Sequence, residues 1–204
     1  MSGKPSGKLL CGLGINNGKY PSRTDKSIVT EYRVWSDMLH RCTEDGRNKQ
    51  QSYKNSTCSE NFKSYSYFYE WCQEQIGFGV IDENSRKWQL DKDILVRGNK
   101  LYSENTCVFL PHIINSLLIK RDAERGEYLI GVCWNKQHCK FQSRCSDGCG
   151  KQKLLGYFDT EQEAFLAYKT FKESYIKQVA EQYKSQIDPR AYKALLEYEV
   201  NIED

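Results

Sequence analysis

The chain has 204 residues, 39% of them hydrophobic and 13% aromatic, which is enough material for one large domain or two small ones. This composition excludes a chain that is disordered throughout, and no apolar run reaches the roughly 20 residues that a membrane-spanning helix needs. The net charge is +3. Because the N-terminal residues lack the apolar core of a signal peptide, we expect an intracellular protein without a membrane partner. From the length we expect two modules.

The first third of the sequence predicts a loop followed by two helices. Residues 1–24 are rich in glycine, asparagine, serine and lysine, which indicates a loop or an extended arm. A helix is predicted over residues 31–42, and a second helix, capped by Ser59, is predicted within residues 59–77 after a polar loop at 43–57. The expected buried stripe of the second helix is Phe62, Tyr65, Phe68 or Tyr69, and Cys72.

Residues 88–123 predict the order strand, turn, strand, helix. The segment KWQLDKDILV carries β-branched and aliphatic residues and is followed by RGNK, which indicates a strand and then a turn. NTCVFL predicts a second short strand. Pro111 then opens a helix through HIINSLLIKRDA, since proline is tolerated in the first helical turn.

The last third predicts three strands and two helices. EYLIGVCWNK, KFQSRCS and KQKLLGYF are three short strands separated by polar or glycine-containing turns. Residues 159–183 predict a long amphipathic helix, with Thr160 and Glu163 as its capping box. Asp188 and Pro189 start a last helix that runs through Tyr198. The predicted apolar face of the long helix is Ala164, Tyr168, Phe171, Tyr175 and Val179.

Charge is distributed unevenly along the chain. Lysine and arginine outnumber aspartate and glutamate by 5 to 1 in residues 128–157, whereas residues 158–204 carry 6 basic and 10 acidic residues. A basic sheet followed by an acidic helical segment is typical of a surface that meets phosphates on one side. Ordinary scatter of surface charge is the alternative.

The segment GVCWNKQHCKFQSR, continued by KQKLLGYFDTEQEAFLAY, resembles the Apetala-type (ethylene-response-factor) DNA-binding domain over about residues 128–180. The resemblance implies a three-stranded antiparallel sheet that lies in the major groove of DNA, with the helix packed behind it. The matching residues are Gly131 and Val132 in the first strand, Lys140 and Phe141 in the second, Leu155, Gly156, Phe158 and Thr160 at the end of the third, and Ala164 and Tyr168 in the helix.

Alternation along KFQSRC places Lys140, Gln142 and Arg144 on one face of the second strand. Arginine can pair with guanine, glutamine with adenine, and lysine can neutralise a phosphate. A solvated sheet face is the alternative. The expected DNA contacts are Trp134, Lys136, Lys140, Gln142, Arg144, Lys151 and Lys153.

Residues 88–115, called the HNH-like frame below, resemble the β-hairpin and helix with which HNH (His-Me finger) nucleases hold one divalent metal. Asp91 matches the acidic position, Asn105 the middle asparagine and Asn115 the metal position on the helix. The segments YRVWSDMLHRC, LDKDIL, GNKLYSENTCVF and IIN are also similar to phage proteins labelled HNH endonucleases. The resemblance implies cleavage or nicking of double-stranded DNA with Mg²⁺ or Mn²⁺ as cofactor.

Lys92 occupies the position where such a nuclease carries histidine. A lysine with a pKa of about 10.4 is a poor general base, and flanking Asp91 and Asp93 favour its charged form, so we expect it to contact a phosphate or stabilise developing charge. If the strand is regular, Asp91 and Asp93 share a face that suits Mg²⁺. His112 can share a helix face with Asn115 and act as a substitute base or ligand. The alternative is that these are solvated carboxylates and a polar residue at a helix start.

The sequence as a whole predicts an α+β protein with two domains. Residues 1–125 form an HNH endonuclease-like helical region with a degenerate ββα unit, and residues 126–204 form the Apetala-type sheet, its long helix and the C-terminal helices. The predicted function is DNA binding of the phage homing-endonuclease type with metal-dependent cleavage, in the cytoplasm of an infected bacterium. The alternative is a catalytically inactive factor that binds DNA or a host protein.

Nine cysteines form an odd set without a signal peptide, so we expect reduced thiols. A zinc site is not expected, because the cluster of cysteines near His138 lacks paired C-x-x-C spacing. That cluster comprises Cys133, Cys139, Cys145 and Cys149.

Overall fold

The computed structural model describes residues 9–49, 53–119 and 126–203. It confirms the predicted α+β class: within these residues the chain forms six α-helices, one three-stranded antiparallel sheet and two sheets of two strands. No described helix is long and apolar enough to cross a membrane.

Contacts divide the chain into two compact units, Met1–Phe109 and Leu110–Asp204. The sequence placed the boundary after residue 125. The difference arises because the helix that follows Pro111 packs against the long C-terminal helix and so belongs to the second unit.

Two helices carry the core of the first unit. Helix α1 spans Thr30–Arg41, within one residue of its predicted limits, and α3 spans Tyr65–Glu74. Their aromatic and aliphatic residues pack together, and the indole Nε1 of Trp35 donates a hydrogen bond of 2.8 Å to the carbonyl of Phe62. The fully buried side chains here include Trp35, Met38, Leu39, Phe62, Tyr65 and Phe68.

The predicted cap of the second helix was wrong. Ser64, where the backbone is extended, is the N-cap of α3, and its side chain accepts the N–H of Tyr67. Ser59 instead accepts the N–H of Phe62 at the start of a separate 3₁₀ turn, Asn61–Lys63. The predicted polar loop also contains a short helix, α2, at Glu44–Lys49, whose acidic first turn suits the positive end of a helix dipole.

Four short strands complete the first unit. Strand β1 (Thr57–Cys58) pairs in parallel with β3 (Leu101–Tyr102), and β2 (Gln89–Asp91) pairs with β4 (Val108–Leu110). The predicted strand over KWQLDKDILV is therefore shorter than expected, because the chain bends away after Asp91. Strand β4 and the helix that follows it agree with the sequence, whereas β3, between the predicted turn and β4, was not predicted.

The second unit begins with α4 (His112–Leu118), for which Pro111 is the N-cap. The predicted end of this helix, at residues 120–123, lies outside the described residues. Strands β5 (Val132–Asn135), β6 (Lys140–Ser146) and β7 (Gln152–Phe158) form an antiparallel sheet in the order β5-β6-β7, as predicted.

Helix α5 (Glu161–Tyr183) packs across one face of this sheet and against α6 (Pro189–Leu196). The capping box of Thr160 and Glu163 is present, and Asp188 caps α6, as the sequence predicts. Ala164, Tyr168 and Val179 are buried as predicted, whereas Phe171 and Tyr175 are only half-buried. At those two turns the buried stripe of α5 includes Lys172 and Ile176 instead. It consists of Ala164, Phe165, Tyr168, Lys172, Ile176, Val179 and Ala180.

Candidate functional site

Strand β2 ends at Asp91 because this side chain caps the turn that follows. One carboxylate oxygen accepts hydrogen bonds of 2.8 Å from the backbone N–H groups of Asp93 and Ile94. The sequence led us to expect that Asp91 and Asp93 project side by side from a regular strand. They do not, because the strand ends at Asp91. Burial raises the pKa of the Asp91 carboxyl above its usual value, against the effect of the two N–H donors. A metal ligand needs the deprotonated form, which this environment disfavours.

Lys92 is buried, with only 3% of its side chain exposed. Its Nζ donates to Oδ1 of Asp93 at 2.6 Å and lies 5.5 Å from the centre of the Tyr102 ring. The expected contact between Lys92 and a phosphate requires an accessible ammonium, so this placement contradicts it. The ammonium instead neutralises Asp93, the second carboxylate proposed as a metal ligand.

The middle asparagine of the HNH-like frame was assigned to Asn105, which is exposed in the turn between β3 and β4. Asn99 makes the structural contacts instead. Its amide nitrogen donates 2.7 Å hydrogen bonds to the carbonyls of Lys92 and Leu101, and its amide oxygen accepts the N–H of Leu101 at 3.1 Å. Sequence reasoning passed over Asn99, although an asparagine after glycine in a turn is a residue type that bonds to the local backbone.

His112 and Asn115 lie on helix α4, in the second unit, whereas Asp91, Lys92 and Asp93 lie in the first. Both α4 residues are half-buried. Nδ1 of His112 shares a hydrogen bond of 3.1 Å with the hydroxyl of Ser116, one turn along the helix. This contact orients the imidazole along α4.

Metal-ligand geometry is absent from the described part of the chain. Residues 9–49, 53–119 and 126–203 contain no group of three or more His, Cys, Asp or Glu side chains arranged to hold a metal ion. All nine cysteines are free thiols, as predicted, and Cys145 lies in the core of the second unit, away from the exposed Cys133, Cys139 and Cys149.

The β5-β6-β7 sheet has two chemically different faces. The face against α5 carries Cys145, which belongs to the core, and Val132, which packs on it. The opposite face, called the open face below, carries Lys140 and Arg144, as the alternation predicts. The open face consists of Cys133, Asn135, Lys140, Gln142, Arg144, Ser146, Gln152, Leu154 and Tyr157.

A bulge in β7 decides which leucine joins the open face. Ser143 pairs with Gly156 and Arg144 pairs with Leu154, so Leu155 is the extra residue on β7. Leu155 turns toward the core, while Leu154 stands opposite Arg144 and is 48% exposed. Gly156, with φ of 151°, supplies the backbone conformation that this bulge requires.

Gln142 is not available for base contact as it stands, because it is only 3% exposed. Its amide nitrogen donates to the hydroxyl of Tyr157 at 3.2 Å, and its amide oxygen accepts from the Cys133 thiol at 3.6 Å. Gln142 therefore ties the three strands together beneath the open face. The prediction that it reads adenine is not supported by this placement.

The remaining predicted DNA contacts divide between the two faces. Lys136 and Lys151 are exposed in the turns at the two ends of β6. Trp134 and Lys153 lie on the face of the sheet that meets α5: Trp134 packs 5.0 Å from the Phe141 ring, and Nζ of Lys153 lies 4.6 Å from the Phe171 ring. Lys140 lies on the open face and forms an ion pair of 3.0 Å with Asp159.

The sequence did not indicate an aromatic pair formed by Tyr157 on the open face and His138 in the neighbouring turn. The ring of His138, exposed in the β5–β6 turn, lies 4.2 Å from the ring of Tyr157. KQKLLGYF alternates, but the bulge at Leu155 shifts the alternation, so the sequence does not indicate which face Tyr157 occupies.

Comparisons with protein-family models, with curated proteins and with solved structures found no match to this chain.

Proposed function

We propose that the second unit binds double-stranded DNA through the open face of the β5-β6-β7 sheet. The observation that carries this proposal is Arg144, a guanidinium that is exposed on the central strand of the sheet, on the face opposite the one that packs against α5. A planar guanidinium in this position can pair with guanine or with phosphate.

The surrounding charge supports the same function. Lys136 and Lys151 are exposed at the two ends of β6, about the length of a seven-residue strand apart, and Lys140 lies between them. Residues 128–157 hold five basic residues and one acidic residue, so the sheet attracts a polyanion. Acidic residues outnumber basic residues in residues 158–204, which form the helices behind the sheet.

Binding of fluorescently labelled duplex DNA, followed by anisotropy at several salt concentrations, tests this proposal. Arg144→Ala is expected to weaken binding by about 1 to 3 kcal/mol if the guanidinium reads a base, or to lower the salt slope by about one if it contacts a phosphate. Lys177→Ala is the matched control, because it removes an exposed positive charge from α5, behind the sheet. Unchanged affinity and salt slope in Arg144→Ala would contradict the proposal.

We further propose that the HNH-like frame supports the fold and does not cut DNA. Three observations favour this: Lys92 is buried and paired with Asp93, Asp91 is turned toward backbone N–H groups, and His112 is bonded to Ser116. Under this proposal, Mg²⁺ and Mn²⁺ are not required for binding. Nicking dependent on either metal, which the HNH resemblance implies, is the outcome that decides against it.

A further inference from the structure

Leu154 is an unexpected residue on the open face. It is the only aliphatic side chain among the nine residues that define this face, and 48% of it is exposed. Exposed single leucines are common on proteins, so exposure alone indicates nothing. The position of Leu154 in the strand register is the informative feature.

The bulge in β7 places Leu154 on this face. With regular pairing, Leu155 would face Arg144 and Leu154 would face Cys145, which lies in the core. The extra residue reverses this order, so that Leu155 packs inward and Leu154 turns outward beside a cation. The register thus keeps one leucine in the core and presents the other next to Arg144.

Arg144 and Leu154 are direct cross-strand partners. Such partners have Cβ atoms about 4.5 to 5.5 Å apart, and successive bases of one DNA strand are about 3.4 Å apart along the helix axis. When Arg144 contacts the edge of one base, the neighbouring base pair therefore lies within reach of Leu154. The two side chains can address neighbouring base pairs in the major groove.

The chemistry of Leu154 selects one group in that groove. Every hydrogen-bonding edge of a base is a poor partner for an isobutyl side chain, whereas the C5-methyl group of thymine is apolar and projects into the major groove. We propose that Leu154 contacts the 5-methyl group of a pyrimidine adjacent to a guanine paired with Arg144. This inference rests on the proposed function and assigns its specificity, because it predicts a preference for thymine over uracil at one position.

The test begins with selection of preferred sites from a duplex library with a randomised centre, using the full chain. Each thymine of the selected site is then replaced by deoxyuridine, which removes one methyl group and keeps base pairing. Wild type is expected to lose roughly four-fold in affinity at one thymine next to a guanine, the effect of one buried methyl group. Leu154→Ala is expected to bind both duplexes equally.

Leu166→Ala is the matched control, since Leu166 is 60% exposed on α5 and lies outside the open face. It should retain the discrimination between thymine and deoxyuridine. Replacing the same thymine by cytosine should weaken binding, and 5-methylcytosine should restore more affinity than cytosine, which separates the methyl contact from recognition of the pairing edge. Arg144→Ala should lose the selection for the adjacent guanine.

Two results would overturn the inference and leave duplex binding intact. One is a selection that enriches no sequence, because a methyl contact beside a guanine requires sequence preference. The other is equal loss of affinity on thymine removal in wild type and in Leu154→Ala. Failure of the chain to bind any duplex would instead overturn the proposed function itself.

Discussion

Asn99 joins the loop after β2 to the start of β3. Its side chain makes three hydrogen bonds to the backbone of Lys92 and Leu101, and each such bond contributes about 0.5 to 1.5 kcal/mol net. Asn99→Ala is therefore expected to lower the free energy of unfolding by about 1.5 to 4.5 kcal/mol. Urea unfolding followed by tryptophan fluorescence measures this, since Trp35, Trp71 and Trp88 lie in the first unit.

Asn105→Ala is the matched control for this change. Asn105 is exposed in the neighbouring turn, and surface substitutions of this kind change stability by no more than about 0.5 kcal/mol. A loss in Asn99→Ala no larger than the roughly 0.5 kcal/mol expected for Asn105→Ala would show that the loop does not depend on Asn99.

The burial of individual polar residues could not be predicted from the sequence. The sequence is sufficient to predict that Lys92 is a poor base, because this depends on the intrinsic pKa of lysine. It does not predict that Lys92 is buried, because burial depends on how Asp93 and Tyr102 lie around it after the strand ends at Asp91. The same holds for Gln142, whose partners Cys133 and Tyr157 come from the two neighbouring strands.

At the scale of elements, Gly131 sets how closely the first strand of the sheet approaches α5. Its φ is +79°, and a Cβ atom added there would lie 2.1 Å from the ring of Tyr168. Gly131→Ala combines an unfavourable backbone conformation, which costs about 1 to 2 kcal/mol, with overpacking, which costs about 1 to 3 kcal/mol, so we expect a loss of about 2 to 5 kcal/mol. Thermal unfolding followed by circular dichroism measures it.

Gly150→Ala separates the two causes. Gly150 also has a positive φ, +97°, but nothing lies within 4 Å of the Cβ position, so only the backbone cost of about 1 to 2 kcal/mol applies. A larger loss in Gly131→Ala than in Gly150→Ala is expected because only Gly131 faces an aromatic ring. Similar losses in both would mean that the sheet and α5 adjust to the added methyl group.

The elements with strong local signals were predictable. Helix α5 follows its capping box and period, and β6 follows its alternation, because both patterns repeat over several residues. Strands β1 and β3 have two residues each and no period to detect. The bulge at Leu155 has no sequence signal beyond Gly156, since it is set by pairing with β6.

For the whole molecule, the proposed function gives the two units different roles: the second unit binds DNA, and the first supports the fold without cutting DNA. The open face of the second unit presents Arg144 to solvent, whereas the first unit places Lys92 and Asp93 in contact with each other. Under the proposed function, DNA binding should therefore be independent of metal-dependent cutting. Variants in the sheet should alter affinity, and variants at β2 should alter only stability.

Incubation of the full chain with supercoiled DNA and Mg²⁺ or Mn²⁺ tests whether the chain nicks DNA. We expect no conversion to the nicked form beyond that seen with EDTA, because the Lys92–Asp93 pair and the backbone contacts of Asp91 occupy the groups that metal-assisted hydrolysis needs. Duplex binding should be unchanged by EDTA. Nicking that requires metal and is lost in Asp91→Ala, with binding retained, would show instead that Asp91 exchanges its backbone partners for a metal ion when DNA is bound.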